Sequence, residues 1–174
     1  QQVRFEDIRD GRNIDQTFYP IRDAKNEIIK VAYYGYDITE QKNAEEALKA
    51  SERKFRTLFS EMTEIVVLNC LVYNDKSEVC DYKILDCNNA FTKIIGFTNE
   101  YSVGKLASEL YGKTPPPHLM EFANVCKTGE TYTFDSYYAE LDKYFQISVV
   151  ALNNENFATI ITDLTELHKY NEKL

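Results

Sequence analysis

A four-residue pattern, Asp-Ile/Leu-Thr-Glu, occurs twice in this 174-residue chain, at positions 37–40 and 163–166. Each copy follows three strand-like segments and precedes a charged segment rich in helix-forming residues. The first strands also correspond, since residues 3–6 (VRFE) resemble residues 132–135 (YTFD). Such a repeat predicts the same unit twice: a sheet whose last strand leads directly into a departing helix. We interpret the first copy as the tail of one domain and the second as the end of a complete domain.

The segment between the two copies begins with a long predicted helix, from Asp37 to Met62. It contains no Gly or Pro and is dominated by strong helix formers. Asp37 and Glu40 fit a capping box at its start. Leu48, Phe55 and Met62 recur at heptad spacing and form an apolar stripe. This stripe predicts either a contact with a second copy of the helix or, in its second half, packing against the following domain.

The order of the segments predicts four parts in the chain. The first 36 residues have the pattern of three antiparallel strands joined by short turns. The stretch after the long helix contains a β-hairpin, a short helix, an irregular region at 97–114 with one more helical turn, a longer helix after three prolines, and three strands. The predicted parts are the C-terminal strands of a truncated domain (1–36), a linker or signalling helix (37–62), a complete domain (63–163) and the start of an output helix (164–174).

Composition and charge exclude several function classes. The chain is 44% hydrophobic and 28% charged, as in folded globular proteins. A formal net charge of −8 without a basic cluster argues against nucleic acid or an anionic membrane surface as partner. No apolar run approaches the ~20 residues that span a bilayer. The sequence also lacks phosphate-binding loops and the common catalytic motifs, which predicts a non-catalytic segment.

The four cysteines show no Cys-x-x-Cys pairing, and only two histidines could join them, so no metal site is predicted. Unpaired cysteines in apolar strand-like segments favour a reducing, cytoplasmic location. Because Gln1 is not a natural start, we interpret the sequence as a piece of a longer protein. A membrane anchor, if that protein has one, is expected outside this segment.

Residues 81–91 (DYKILDCNNAF), followed by Gly96-Phe97, resemble the second strand and the Asn-x-Ala-Phe helix opening of the PAS domain family. The patterns at 37–39 and 163–165 resemble the Asp-Ile-Thr turn with which such domains pass into a signalling helix. The resemblance implies an α+β fold: a PAS-like five-stranded antiparallel sheet with helices on one face, preceded by a three-stranded partial PAS remnant and a long linker helix. It also implies a tandem segment of a sensor histidine kinase or diguanylate-cyclase-type protein.

The function implied by this resemblance is sensing and signal relay. A ligand- or partner-dependent change would pass through the exit turn to the C-terminal helix. The residues expected to cap these exits are Asp37, Thr39, Glu40, Asp163, Thr165 and Glu166. The alternative is a ligand-free dimerisation scaffold between flanking PAS and catalytic domains. In either case the expected partners are a second copy of the chain and the flanking PAS and output domains of the same protein.

A small-molecule pocket inside the PAS domain is a further expectation, with the identity of any ligand left open. The alternative is that the same side chains simply fill the core. Haem is disfavoured because His118 lies at the very start of the long helix behind three prolines, and flavin is disfavoured because residues 87–91 do not reproduce the segment of flavin-binding members. The pocket candidates are Val66, Leu68, Ile84, Phe91, Ile95, Phe122, Val125, Phe134, Phe145, Ile147 and Ile160.

Overall fold

A computed structural model describes residues 2–171, so Gln1 and residues 172–174 of the predicted output helix lie outside the described part. The chain divides into two compact units with a boundary between Arg56 and Thr57. The strands are β1 (Val3–Arg9), β2 (Arg12–Arg22), β3 (Ile28–Asp37), β4 (Ile65–Tyr73), β5 (Val79–Cys87), β6 (Tyr132–Tyr138), β7 (Lys143–Ala151) and β8 (Asn156–Asp163). The helices are α1 (Thr39–Glu61), α2 (Asn89–Ile95), α3 (Asn99–Ser102), α4 (Ala107–Tyr111), α5 (Leu119–Thr128) and α6 (Thr165–Asn171).

The first unit contains a three-stranded antiparallel sheet in the order β1-β2-β3. Asp10 and Gly11 form the two-residue turn between β1 and β2, and both have positive φ, 49° and 75°. This geometry matches the twist of the paired strands and favours Asp-Gly. The meander predicted from the sequence is therefore confirmed.

The helix α1 begins two residues later than the sequence predicts and ends one residue earlier. Asp37 still pairs with Ile14 in the ladder of β2 and β3, so it is the last strand residue and not a helix residue. Met62 follows the helix, and its backbone N–H donates to the Leu58 carbonyl oxygen at 3.1 Å.

The second unit is built on a five-stranded antiparallel sheet in the order β5-β4-β8-β7-β6. One face of the sheet carries Ile65, Val67 and Ile147, which are buried with Phe91 of α2 and Phe122 of α5 in a single hydrophobic core. The predicted α+β architecture with this sheet, a second three-stranded sheet and a long helix is confirmed.

The helical layer has more short helices than the sequence predicts. Between α2 and α5 the prediction was an irregular stretch with one helical turn, whereas the structure has two short helices, α3 and α4. Gly96 ends α2 with φ 94°, and Gly112 ends α4 with φ 63°. Both conformations are left-handed, which glycine adopts at little cost.

Candidate functional site: a sheet–helix cavity and two exit turns

A cavity of about 50 Å³ lies in the second unit, between the inner face of the sheet and the helical layer. Its walls are mainly apolar and aromatic. The lining residues are Val67, Asn69, Tyr82, Phe91, Ile95, Tyr111, His118, Phe122, Tyr138, Phe145, Ile147, Thr159 and Ile161.

Asn69 of β4 is the most unusual group in this wall. Its side chain is fully buried, and its Nδ2 donates to the Val67 carbonyl oxygen at 3.2 Å. No donor within residues 2–171 reaches its Oδ1. Thr159 of β8, also buried, lies on the same face because it pairs with Val67. Since a buried acceptor without a partner is costly, the cavity contains an unsatisfied polar position.

His118 closes the wall at the start of α5. Its backbone is left-handed, with φ 59°, and its ring centroid lies 4.5 Å from that of Phe134 and 6.0 Å from that of Phe122. Burial lowers the pKa of the imidazole below its usual value of 6.5, against an opposing effect of Glu121. The imidazole is therefore neutral at pH 7.

A second cavity, of about 220 Å³, adjoins the first. The two share Ile95, Tyr111 and Tyr138, so these three side chains form the wall between them. Burial raises the pKa of both tyrosines, which keeps their hydroxyls protonated. Lys113 and Glu140 line the second cavity, and Lys113 Nζ lies 3.2 Å from Glu140 Oε1.

The sequence-predicted pocket residues divide into three groups. Phe91, Ile95, Phe122, Phe145 and Ile147 line the first cavity. Ile84 and Val125 are buried in the surrounding core, and Phe134 packs against that core. The remaining candidates do not line the cavity, because they alternate along β4 and β8 with the residues that do and therefore lie on the opposite face of the sheet. They are Val66, Leu68 and Ile160.

Three polar members of the wall, Asn69, Tyr82 and Thr159, were not predicted as pocket residues. For Asn69 a signal was available, because it is the one polar residue inside the apolar run of β4 (IVVLNCLVY). For Tyr82 the decisive contact is tertiary: its hydroxyl donates to the Pro117 carbonyl oxygen at 3.2 Å.

The exit turn of the second unit joins β8 to α6 through a compact set of hydrogen bonds. Asp163 Oδ1 accepts from the Thr165 backbone N–H at 2.9 Å and from its hydroxyl at 2.5 Å. Thr165 Oγ1 accepts from the Tyr144 N–H of β7 at 3.1 Å, and the Leu164 N–H donates to the Tyr144 carbonyl at 2.8 Å. Lys143 pairs with Asp163. The start of α6 is thus tied to both β7 and β8.

The exit turn of the first unit repeats this arrangement. Asp37 Oδ1 accepts from the Thr39 N–H at 3.0 Å, and Thr39 Oγ1 accepts from the Asn13 N–H at 2.8 Å. The Ile38 N–H donates to the Asn13 carbonyl at 2.8 Å, and Arg12 lies 3.8 Å from Asp37. The acidic residues that follow in each helix, Glu40 and Glu166, are exposed.

The predicted stripe on α1 lies at the surface. Leu48 is 70% exposed, Phe55 is 49% exposed, and Met62, just beyond the helix, is 39% exposed.

The comparison with known families is decisive for identity. The family model described as a PAS domain matches residues 68–166, more than half of the chain. The chain belongs to the PAS domain family. The matched range includes Asn69, Thr159 and the exit turn at Asp163 and Thr165. No curated protein matches the chain.

Several solved structures match this chain at low sequence identity. A domain of a sensory box sensor histidine kinase/response regulator from Geobacter sulfurreducens has 16% identity and a TM-score of 0.46 over 67% of this chain and 96% of its own. The PAS domain of a protein from Colwellia psychrerythraea has 14% identity and a TM-score of 0.48 over 66% of this chain and 97% of its own. An RNA-binding light-oxygen-voltage receptor has 8% identity and a TM-score of 0.48 over 98% of this chain and 79% of its own.

PAS domains of this kind are sensory signalling modules and are generally non-catalytic. Within residues 2–171, no group of three or more His, Cys, Asp or Glu side chains is placed to hold a metal ion. None of the described helices is both long enough and apolar enough to cross a membrane.

Proposed function

We propose that the second unit senses the occupancy of its sheet–helix cavity and passes the change through the Asp163 turn to α6. The observation that carries this proposal is that the same two strands reach both places. Ile147 of β7 and Thr159 of β8 line the cavity, while Tyr144 of β7 and Asp163 of β8 form the exit turn. A change in strand spacing at the cavity would therefore act directly on the hydrogen bonds that hold α6.

Relay of this kind requires two states that differ in their interaction with the ligand. The exit turn offers a suitable two-state element, because Thr165 accepts from β7 and donates to Asp163 of β8 at the same time. A shift of β7 against β8 would stretch one of these bonds and free the start of α6.

Xenon is a suitable first probe because it enters small apolar cavities. In the nitrogen-15 NMR spectrum of the whole chain, xenon should shift the amides of Thr159 and Ile147 and also those of Leu164 and Thr165. Replacing Thr165 with Val removes the hydroxyl but keeps the shape. We expect Thr165→Val to reduce the response of the exit amides while leaving the response of the cavity amides intact.

The matched control is Thr131→Val at an exposed position before β6. It should leave both responses unchanged. If xenon shifts the cavity amides but not the amides of Leu164 and Thr165, the cavity and the helix are not coupled, and the relay proposal fails.

The first unit is proposed to be the last three strands of a preceding PAS domain, covering residues 1–36, with residues 37–62 as the signalling helix. Its exit turn supports this assignment, since the carboxylate, hydroxyl and backbone contacts at Asp37 and Thr39 repeat those at Asp163 and Thr165. The complete domain would then span 63–163, and residues 164–174 would begin the output helix.

The parent protein is proposed to be a prokaryotic histidine kinase or diguanylate cyclase with flanking PAS and output domains. The exposure of Leu48 on α1 favours a second candidate role, that of a dimerisation scaffold. We propose that two copies pair along this helix. The cytoplasmic location remains a prediction from cysteine usage.

A further inference from the structure

We infer that the sensed ligand is a small uncharged molecule with an apolar body and one N–H or O–H group that donates to Asn69 Oδ1. This inference rests on the proposed sensing function and specifies the chemistry of its site. It starts from Asn69, whose amide Nδ2 donates to the Val67 carbonyl oxygen while its Oδ1 receives no hydrogen bond from any donor within residues 2–171, in a cavity wall that is mainly apolar and aromatic.

The polarity of the missing partner follows from the atoms present. A carbonyl oxygen accepts hydrogen bonds, so the complementary group must be a donor. None of the donors within residues 2–171 reaches this oxygen. The Tyr82 hydroxyl donates instead to the Pro117 carbonyl, and the Asn69 Nδ2 donates to the Val67 carbonyl.

The charge of the ligand follows from the residues that line the inner cavity. They include no Asp, Glu, Lys or Arg, and His118 is neutral there because burial lowers its pKa. A charged ligand would be desolvated without a counter-charge, which is strongly unfavourable. Lys113 and Glu140 line the outer cavity, where they already pair with one another.

The size of the ligand follows from the two cavities. The inner one, about 50 Å³, holds only a few non-hydrogen atoms, and the outer one adds about 220 Å³ beyond Tyr111 and Tyr138. Drug-sized ligands use roughly 300–1,000 Å³. The ligand is therefore of fragment size, with its donor in the inner cavity and its body passing between the two tyrosines.

Three probes with the same number of non-hydrogen atoms separate these properties: benzyl alcohol is neutral with a donor, ethylbenzene is neutral without one, and benzylammonium is a charged donor. Binding to the whole chain is measured by NMR titration on the wild type, on Asn69→Leu and on the surface control Asn124→Leu. The ratio of the benzyl alcohol affinity to the ethylbenzene affinity is compared between the wild type and each variant, so that the general difference in hydrophobicity between the two probes cancels. We expect Asn69→Leu to weaken benzyl alcohol about tenfold relative to ethylbenzene, as for one lost hydrogen bond.

The control Asn124→Leu should leave that ratio unchanged, and benzylammonium should bind weakly to every form. If Asn69→Leu does not fold, Asn69→Val provides the same comparison. The inference is overturned by a ratio that does not change at Asn69, by benzylammonium binding as tightly as benzyl alcohol, or by the absence of binding for all three probes.

The same spectra keep this inference separate from the relay proposal. If ethylbenzene binds and shifts the Thr165 amide, and Asn69→Leu does not change the affinity of benzyl alcohol relative to ethylbenzene, the relay proposal is supported and the donor requirement is excluded. If benzyl alcohol binds in a manner that depends on Asn69 but does not shift the Thr165 amide, the donor requirement is supported and the relay proposal fails.

Discussion

Asp163 is held in its ionised form by the groups around it at the end of β8. Partial burial raises its pKa, but hydrogen bonds from Lys143 and Thr165 outweigh that effect, so the pKa lies below its usual value of 3.8. A carboxylate whose pKa is lowered by folding stabilises the folded state at pH values above the unfolded pKa. That contribution is lost as the pH falls through the lower, folded-state pKa.

Replacing Asp163 with Asn should therefore flatten the acid limb of the stability curve. The wild type should lose stability below about pH 4, and Asp163→Asn should lose less over the same range because it has no proton to bind there. Urea unfolding at a series of pH values measures this difference. The same substitution at the exposed turn residue, Asp75→Asn, provides the matched control for the chemical change itself. An Asp163→Asn curve parallel to that of the wild type would contradict the assignment.

At the scale of elements, α2 depends on one side chain. Asn88 Oδ1 accepts from the N–H of Phe91 at 3.3 Å, as an N-cap does, and also from the N–H of Val66 at 3.1 Å. Its Nδ2 donates to the Glu64 carbonyl oxygen at 2.8 Å. The same amide therefore starts the helix and fixes it to the beginning of β4.

Replacing Asn88 with Ala should lower the free energy of unfolding by about 2 kcal/mol or more, because a cap is lost and the backbone groups of Val66 and Glu64 lose their partner, that of Val66 in a buried position. The neighbouring residue supplies a matched control: Asn89 is exposed, and Asn89→Ala should change stability by less than about 0.5 kcal/mol. Chemical denaturation of both variants measures the contrast. Equal losses would show that Asn88 acts only through helix propensity.

The strands and the exit turns could be predicted from the sequence because each has a characteristic local pattern of residues. Strand-like segments and turn residues predicted the number and order of the strands in the described part of the chain, and the two Asp-x-Thr-Glu patterns marked the strand–helix junctions. Which side of β4 faces the cavity could not be predicted from the sequence, because apolar residues occupy both faces of this strand. Val66 and Val67 are equally hydrophobic, and only the helical layer and the neighbouring strands distinguish them.

The details of the exits required tertiary information. The local sequence pattern includes Thr39 and Thr165, but their hydroxyls accept hydrogen bonds from the backbone N–H groups of Asn13 and Tyr144, which are far away in the chain. The two cavities likewise share Tyr111 and Tyr138, which are far apart in the chain and are brought to the same place only by the fold.

At the scale of the whole molecule, the two units have the same exit turn, but their sheets differ in how far they are covered. The sheet of the second unit is covered by helices, whereas β1 and β3 are exposed along their whole length. Phe5, Phe18 and Tyr33 form an aromatic row on the first sheet, with successive centroids 5.6 Å and 5.2 Å apart. The repeated turn thus works as a local junction, built from one carboxylate, one hydroxyl and two strand ends.

The proposed pairing of two copies gives the last prediction. Leu48 is the most exposed member of the α1 stripe, and a parallel contact between two copies would bring the two Leu48 side chains together. Leu48→Glu would then place like charges at the contact and dissociate the dimer, whereas Lys49→Glu, the same new residue one position away from the stripe, should not. Both substitutions keep a good helix former. Sedimentation equilibrium at micromolar concentration should give twice the chain mass for the wild type and Lys49→Glu and the single-chain mass for Leu48→Glu. A monomeric wild type would exclude this pairing.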